Sequence, residues 1–150
     1  TLFLSEKFPN SLIIGCNLSG KQVDFNKFLL DKYKHNNIVF YDSSDLVHKV
    51  GKVDIICAFE LFEHIFKPDE ELIYLLKFKP SIIIESTSFS VPSPGHFPFY
   101  EINGKVTSGR RTYREFSKLI RSYDFEDLLL KNKIHFLNNR PHIWKKIGEY

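Results

Sequence analysis

Short apolar runs alternate along the chain with amphipathic stretches, and this alternation predicts a series of strands and helices. Four of the runs are rich in β-branched residues and closed by turn residues, which is typical of buried strands. These runs are Leu12–Cys16, Asn37–Tyr41, Val53–Phe59 and Ser81–Glu85. Helical periodicity, and Pro68 followed by three acidic residues, predict helices between them. These helices are Lys21–Tyr33 and Pro68–Leu76.

The last third of the chain is less regular. Residues 86–109 contain several Pro and Gly residues, and a loop of this length in a compact domain is usually functional. Thr112 and Glu115 have the spacing of a capping box, which predicts a helix from residue 112 to residue 123. The final predicted elements are strands over Phe125–Leu130 and Ile134–Leu137.

Strands that are joined by helical crossovers predict an α/β fold, here a Rossmann-like, mostly parallel sheet with helices on both faces. A chain of 150 residues fits one domain, so a single domain over residues 1–150 is expected. In such sheets the ligand binds beyond the carboxyl ends of the strands. The residues that follow the predicted strands are therefore the candidates for a binding site.

Composition and charge exclude some classes of protein. The apolar runs are much shorter than the roughly 20 residues of a membrane-spanning helix, so no membrane partner is expected. A net charge of +3 permits an anionic partner without demanding one. Two cysteines in 150 residues do not form a disulfide scaffold. With no signal peptide predicted at the start, we expect a cytoplasmic protein.

The ends of the first two predicted strands carry residues that are suited to a nucleotide or nucleoside. Gly15, Gly20 and Lys21 have the spacing of a P-loop, but Gln22 replaces the hydroxyl residue that holds Mg²⁺. A glycine-bearing turn that approaches another ligand, or a plain strand–helix turn, explains the same residues. Asp42 ends the second strand, where an acid can accept ribose hydroxyls, although the residues after it also form an ordinary turn pattern.

The end of the third predicted strand is the most specific feature. Glu60, Glu63 and His64 follow the strand within five residues. If this segment is helical, the three side chains share one face. Two carboxylates and an imidazole can bind a divalent cation or act as a general base.

The segment Val53–Ile65 resembles the fourth-strand motif of class I S-adenosylmethionine-dependent methyltransferases, in which an apolar strand that opens with Asp runs into Glu-x-x-Glu-His. Ser81–Glu85 looks like their fifth strand, and Arg111–Phe116 looks like part of their late helix. The chain departs from the family at Ile13, where an acid is usual, and at Asn17, which replaces a glycine. Only ten residues, 43–52, separate Asp42 at the end of the second predicted strand from Val53 at the start of the third, so the cofactor-binding half is shortened.

The resemblance implies a role for each matching residue. The methyl donor S-adenosylmethionine would be approached by Gly15, Cys16 and Asn17. Asp42 would correspond either to the acid that binds the donor's ribose hydroxyls or to the acid that contacts its adenine. Phe59 and Glu60 would line the donor site. His64 and Glu63 would be the catalytic residues, with His64 as general base for a hydroxyl acceptor.

A divalent metal ion is a less favoured expectation from the same resemblance. Some relatives hold such an ion with a Glu-x-x-Glu-His motif, whereas many others share the motif without a metal role. In this chain the corresponding ligands are Glu60, Glu63, His64 and, from the long loop, His96.

The methyl acceptor is not identified by the sequence. Candidates are a hydroxyl or amine of a small molecule, a glycan or a nucleic acid. Nucleic acid would contact a basic run whose members fall largely on one helix face. The run consists of Arg110, Arg111, Arg114, Lys118 and Arg121. The alternatives are a P-loop-type nucleotide-binding protein and a non-catalytic α/β binding module.

Overall fold

The structure is a computed structural model that describes residues 2–17, 20–42, 46, 48–131 and 141–148. The chain divides into two compact units, residues 1–51 and residues 52–150. They are called the first and the second unit here, and each is described by itself. None of the described helices combines the length and the apolar character that are needed to cross a membrane.

The first unit contains a parallel pair of strands. Its elements are α1 (Leu2–Lys7), β1 (Ile13–Asn17), α2 (Gly20–Tyr33) and β2 (Ile38–Asp42). The ladder pairs Ile13 with Ile38 and Asn17 with Asp42, so both strands end at the same edge. The side-chain amide of Asn37 donates hydrogen bonds to the carbonyl groups of Ser5, Phe8 and Ser11. One polar side chain therefore ties the α1 region to the start of β2.

The described residues of the second unit form a four-stranded sheet, a hairpin and three α-helices. Its strands are β3 (Ile55–Phe59), β4 (Ile82–Ser86), β5 (Tyr100–Ile102), β6 (Lys105–Thr107), β7 (Phe125–Asp127) and β8 (His142–Lys146). Its helices are a 3₁₀ turn (Phe62–His64), α3 (Pro68–Leu76), α4 (Gly109–Ser122) and α5 (Leu128–Lys131). The sheet order is β3-β4-β8-β7, and β5 pairs with β6.

The core of the second unit lies between this sheet and its helices. Phe62, Leu72, Phe116 and Trp144 are fully buried within one cluster of apolar side chains. The rings of Phe62 and Phe116 have centroids 4.6 Å apart. Because Phe62 follows β3 directly, its burial anchors the segment that carries the acidic residues of the motif.

The α/β class is confirmed, and the boundaries of the helix Pro68–Leu76 are confirmed as predicted. The sheets are mixed rather than mostly parallel. β1 with β2 and β3 with β4 are parallel, whereas the β4–β8, β7–β8 and β5–β6 ladders are antiparallel.

The predictions for the last third of the chain need correction. Thr112 does not cap a helix, since α4 begins at Gly109, and its buried hydroxyl lies 3.0 Å from that of Thr107. The predicted strand over residues 125–130 ends at Asp127, whose Oδ1 accepts a hydrogen bond from the Leu129 amide and turns the chain into α5. The predicted strand over residues 134–137 lies outside the described residues.

Candidate functional site

The site begins where β3 leaves the sheet. β3 and β4 are parallel and in register, so Phe59 lies beside Ser86 at their common end. The next residue, Glu60, has a left-handed backbone with φ 49°, and its amide donates to the Ser86 carbonyl at 2.9 Å. A side chain other than glycine is uncommon in this conformation, which reverses the chain sharply. The acidic motif is therefore attached to both parallel strands.

Glu63 is the central acid of the site. It is fully buried in the 3₁₀ turn, and its Oε1 accepts a hydrogen bond from the Ser88 amide at 3.2 Å. Among the described residues, its Oε2 has no hydrogen-bond partner. Burial raises the pKa of this carboxyl, and the neighbouring Glu60 raises it further. The Tyr100 hydroxyl donates to the Glu63 carbonyl at 3.0 Å and fixes the backbone.

Three of the predicted metal ligands converge. Glu60, Glu63 and His96 each place one ligand atom so that all three atoms lie within 4.8 Å of one another. The Nδ1 of His96 donates to the Val91 carbonyl at 2.8 Å, because a carbonyl oxygen can only accept. In the neutral ring, Nε2 then carries the lone pair, as in a metal-ligating histidine oriented by a backbone carbonyl. This arrangement suits a divalent cation or a shared proton.

His64 lies beside this group rather than in it. Its Nδ1 donates to the Gly95 carbonyl at 3.1 Å, and its ring contacts that of His96, with centroids 4.8 Å apart. A single helical face for the motif is not formed, because Glu60 precedes the 3₁₀ turn with a positive φ. Gly95 has φ 87°, and a Cβ there would lie 3.1 Å from Nδ1 of His64.

In the first unit, Gly15 and Cys16 line a cavity of about 410 Å³. The other lining residues are Leu2, Gln22, Phe25, Asn26, Leu29 and Phe40. A Cβ at position 15 would collide with the Phe40 ring, so glycine at this position makes room for that ring. Asn17 and Asp42 are register partners at the common end of β1 and β2.

The P-loop residues have a different setting from the one their spacing predicts. Gly15 lies inside β1, which continues to Asn17, and α2 begins at Gly20. Lys21 is exposed in the first turn of α2. The glycine that would open a phosphate-binding loop therefore belongs to a strand.

The predicted basic run is exposed on α4, with Arg110 in its first turn and Arg111 and Arg114 along it. Two of its members have contacts within the chain. Lys118 forms an ion pair with Glu115 at 3.0 Å, and the Arg121 guanidinium lies 5.3 Å from the centroid of the Trp144 ring. The ion pair offsets the charge of Lys118, whereas the contact with the uncharged Trp144 ring leaves the charge of Arg121 unchanged.

Sequence reasoning missed a second buried polar group in the second unit. Glu85 on β4 is fully buried and accepts hydrogen bonds at 3.4 Å from the Tyr113 hydroxyl and from Nε1 of Trp144. Opposite Glu85 on β8, His142 has its Nδ1 2.7 Å from Oδ2 of Asp127. Burial raises the pKa of Glu85 and of Tyr113. The sequence signal that could have revealed Glu85 was its position within a predicted apolar strand. His142 could not be found in this way, because it belongs to β8, which was not predicted.

The predicted residues of the second unit, Phe59, Glu60, Glu63, His64 and His96, therefore lie at one strand end and in the loop beside it. Those of the first unit lie at the end of β1 and β2. No protein-family model and no curated protein matches the chain. The functional conclusion accordingly depends on residues and geometry.

Proposed function

We propose that the chain transfers a methyl group from S-adenosylmethionine to a hydroxyl or amine acceptor, on a Rossmann-like fold with a shortened cofactor-binding half. The observation that carries the proposal is Glu63, a buried carboxylate in the turn that follows a parallel strand, with one oxygen that has no hydrogen-bond partner among the described residues. It belongs to the segment Val53–Ile65, which resembles the methyltransferase motif. The strands that resemble the family's fourth and fifth, β3 and β4, are neighbours in one sheet.

Each unit by itself carries residues that the resemblance assigns to donor binding. In the first unit these are Gly15, Cys16, Asn17 and Asp42, and the presence of Gly15 and Cys16 in a cavity wall supports this role. In the second unit the resemblance assigns Phe59 and Glu60. Phe59 is exposed at the end of β3, which leaves its ring available to a ligand.

The chain's own contribution to the reaction is mainly alignment, because the sulfonium methyl is already activated. The acceptor atom forms a bond to the methyl carbon while the carbon–sulfur bond breaks and sulfur keeps the electron pair. His64 takes the acceptor's proton at Nε2, since Nδ1 donates to the Gly95 carbonyl. Glu63 positions the site, because its backbone and Oε1 are both fixed.

A divalent cation held by Glu60, Glu63 and His96 is the second candidate function. It is favoured by the convergence of their ligand atoms and by the orphaned Oε2 of the buried Glu63. Two carboxylates and one imidazole fit ions such as Mn²⁺ or Zn²⁺. When bound, such an ion would lower the pKa of an acceptor hydroxyl.

The test is calorimetric titration with S-adenosylmethionine and S-adenosylhomocysteine, with ATP·Mg²⁺ and MnCl₂ as separate titrants. We expect binding of both sulfur compounds. We also expect Glu63→Gln to weaken Mn²⁺ binding about 10- to 100-fold. The matched control is Glu71→Gln, a partly buried glutamate of α3 that lies outside the cluster.

Each alternative has its own outcome in this titration. Binding of ATP alone would overturn the proposal in favour of the P-loop-type protein, although the position of Gly15 inside β1 disfavours it. If S-adenosylmethionine, S-adenosylhomocysteine and ATP all fail to bind, the result would favour the non-catalytic binding module. Equal losses of Mn²⁺ affinity in both variants would contradict the cation site.

A further inference from the structure

Two pairs of rings lie in and beside the acidic cluster. His64 and Phe66 stand on either side of Ile65, which is extended with φ −122° and ψ 122°. The loop supplies one ring against each: His96 contacts His64 with centroids 4.8 Å apart, and Phe97 contacts Phe66 at 5.7 Å. We call His64, Phe66, His96 and Phe97 the ring strip.

The ring strip is open along most of its length. The exposed fraction is 42% for Phe66 and 39% for Phe97, and His64 is exposed as well. Single exposed apolar residues are ordinary, but two exposed rings in contact with each other, as Phe66 and Phe97 are, form an apolar patch that is suited to a ligand. The backbone beneath it is tied down, because the Glu101 amide donates to the Phe66 carbonyl at 2.9 Å.

One end of the ring strip is the acidic cluster. His96 belongs to both, since it contacts His64 and also shares the three-ligand group with Glu60 and Glu63. A ligand that stacks on the strip would therefore meet two carboxylates and an imidazole at one end. Such a setting suits a group that can donate a proton or bind a cation, as a hydroxyl does.

The charges around the ring strip disfavour a phosphate-bearing ligand. Lys67 is the one lysine or arginine in residues 60–70 and 91–101. Its ammonium group is paired with Glu70 at 3.0 Å and with Glu101 at 3.4 Å. Binding of single-stranded nucleic acid combines stacking with a basic groove. Residues 60–70 and 91–101 supply rings, but their one lysine is already paired with two glutamates.

We propose that the ring strip binds an uncharged planar aromatic compound that carries a hydroxyl group. Its ring stacks on Phe66 and Phe97, and its hydroxyl faces Glu60, Glu63 and His96. This inference rests on the proposed function, since it makes the compound the methyl acceptor. Offset or edge-on contacts with two aromatic rings give such a ligand preference over a saturated one of the same size.

The test is calorimetric titration with 2-naphthol, in the absence of any methyl donor, and with trans-2-decalol as the saturated control. We expect 2-naphthol to bind and 2-decalol to bind at least fivefold more weakly. Phe66→Leu and Phe97→Leu keep an apolar side chain but remove the ring, and each is expected to weaken 2-naphthol binding about fivefold. The matched control is Phe99→Leu, an exposed ring of the same loop outside the strip, with a change of less than twofold.

Three results would overturn the inference. The first is equal binding of 2-naphthol and 2-decalol, and the second is an equal loss in Phe97→Leu and Phe99→Leu. The third is tighter binding of a single-stranded RNA octamer than of 2-naphthol, which would favour a nucleic-acid acceptor.

Titration of the same variants with S-adenosylmethionine separates the two proposals. Donor binding without 2-naphthol binding would contradict the ring strip and leave methyl transfer standing. Binding of 2-naphthol without donor binding would contradict methyl transfer, and with it the role of the strip as an acceptor site.

Discussion

Glu63 and Glu85 are the same residue type under the same degree of burial, at the ends of neighbouring parallel strands. Both are fully buried, and in the described part of the chain each leaves its Oε2 without a hydrogen-bond partner. Burial raises the pKa of both carboxyls. A buried carboxylate is costly unless it is paired, so the surroundings decide what each one does.

The groups around the two glutamates differ in charge and in hydrogen-bonding character. Glu63 faces another carboxylate, Glu60, and a ring nitrogen of His96. Glu85 faces donors, namely the Tyr113 hydroxyl and Nε1 of Trp144, with His142 across the ladder. The groups that Glu63 faces therefore leave room for the positive charge that a cation would supply. Glu85, in contrast, already accepts hydrogen bonds from neighbouring side chains. The first is suited to a ligand and the second to stability.

The largest expected effect is the loss of stability when each glutamate is replaced by alanine. Glu85→Ala leaves a cavity, deprives the buried Nε1 of Trp144 of its acceptor and removes one partner of the Tyr113 hydroxyl, so the free energy of unfolding should fall by about 3 kcal/mol. Glu63→Ala removes one acceptor for a backbone amide and should cost about half as much. Urea denaturation at pH 5 measures both losses. At this pH, the cost of ionising a buried carboxyl contributes little to the free energy of unfolding. An equal or larger loss for Glu63→Ala would break the comparison.

The pH dependence of stability gives the next effect. Because burial raises the pKa of Glu85 above 4.5, the folded state favours its protonated form. The stability that Glu85 contributes in this way is fully present below the ordinary pKa of a glutamate. It is lost as the pH rises through the pKa that Glu85 has in the folded state. The free energy of unfolding of Glu85→Gln should therefore rise relative to that of the unmodified chain above pH 4.5, by at most about 1.4 kcal/mol per pH unit.

Denaturation curves from pH 4 to pH 8 measure this difference. His142, when protonated, and the bonds from Tyr113 and Trp144 oppose part of the burial effect, so they limit the width of the pH window. A difference that stays constant with pH would show that Glu85 has an ordinary pKa in the folded state.

The smallest effect concerns two tyrosines, one for each glutamate. The Tyr100 hydroxyl donates to the Glu63 carbonyl at 3.0 Å, whereas that of Tyr113 donates to Glu85 Oε1 at 3.4 Å, near the limit for a hydrogen bond. Tyr100→Phe should lower the free energy of unfolding by about 1 kcal/mol and Tyr113→Phe by about 0.5 kcal/mol. Thermal denaturation resolves the order, and the reverse order would mean that the longer bond is the stronger one.

The elements near the site were predictable because their residues carry strong local signals. Pro68 with three following acids marks a helix start, and the β-branched runs mark β3 and β4. Near the C-terminus the local signal was misleading. The run at residues 128–130 is apolar like a strand, but the Asp127 side chain bonds to the Leu129 amide and a helix follows.

The membership of the acidic cluster was partly predictable. The pattern identified Glu60, Glu63 and His96, which converge. It also included His64, on the assumption of a regular helix. The positive φ of Glu60 and the hydrogen bond from His64 to Gly95 depend on the neighbouring strand and loop, so spacing could not reveal them. The group around Glu85 needs β8, which pairs with β4 from a distant part of the chain.

The residue at position 95 of the loop restricts the position of the side chain at residue 64 of the acidic motif. The positive φ of Gly95 strains any residue that has a side chain, and a Cβ there would lie 3.1 Å from Nδ1 of His64, so the ring would have to move by a few tenths of an ångström. A descendant of this sequence that exchanges Gly95 must also shift or lose the imidazole at position 64. Among diverged copies of the chain, the two positions are therefore expected to change together, and a glycine at 95 would mark those that keep the histidine in use.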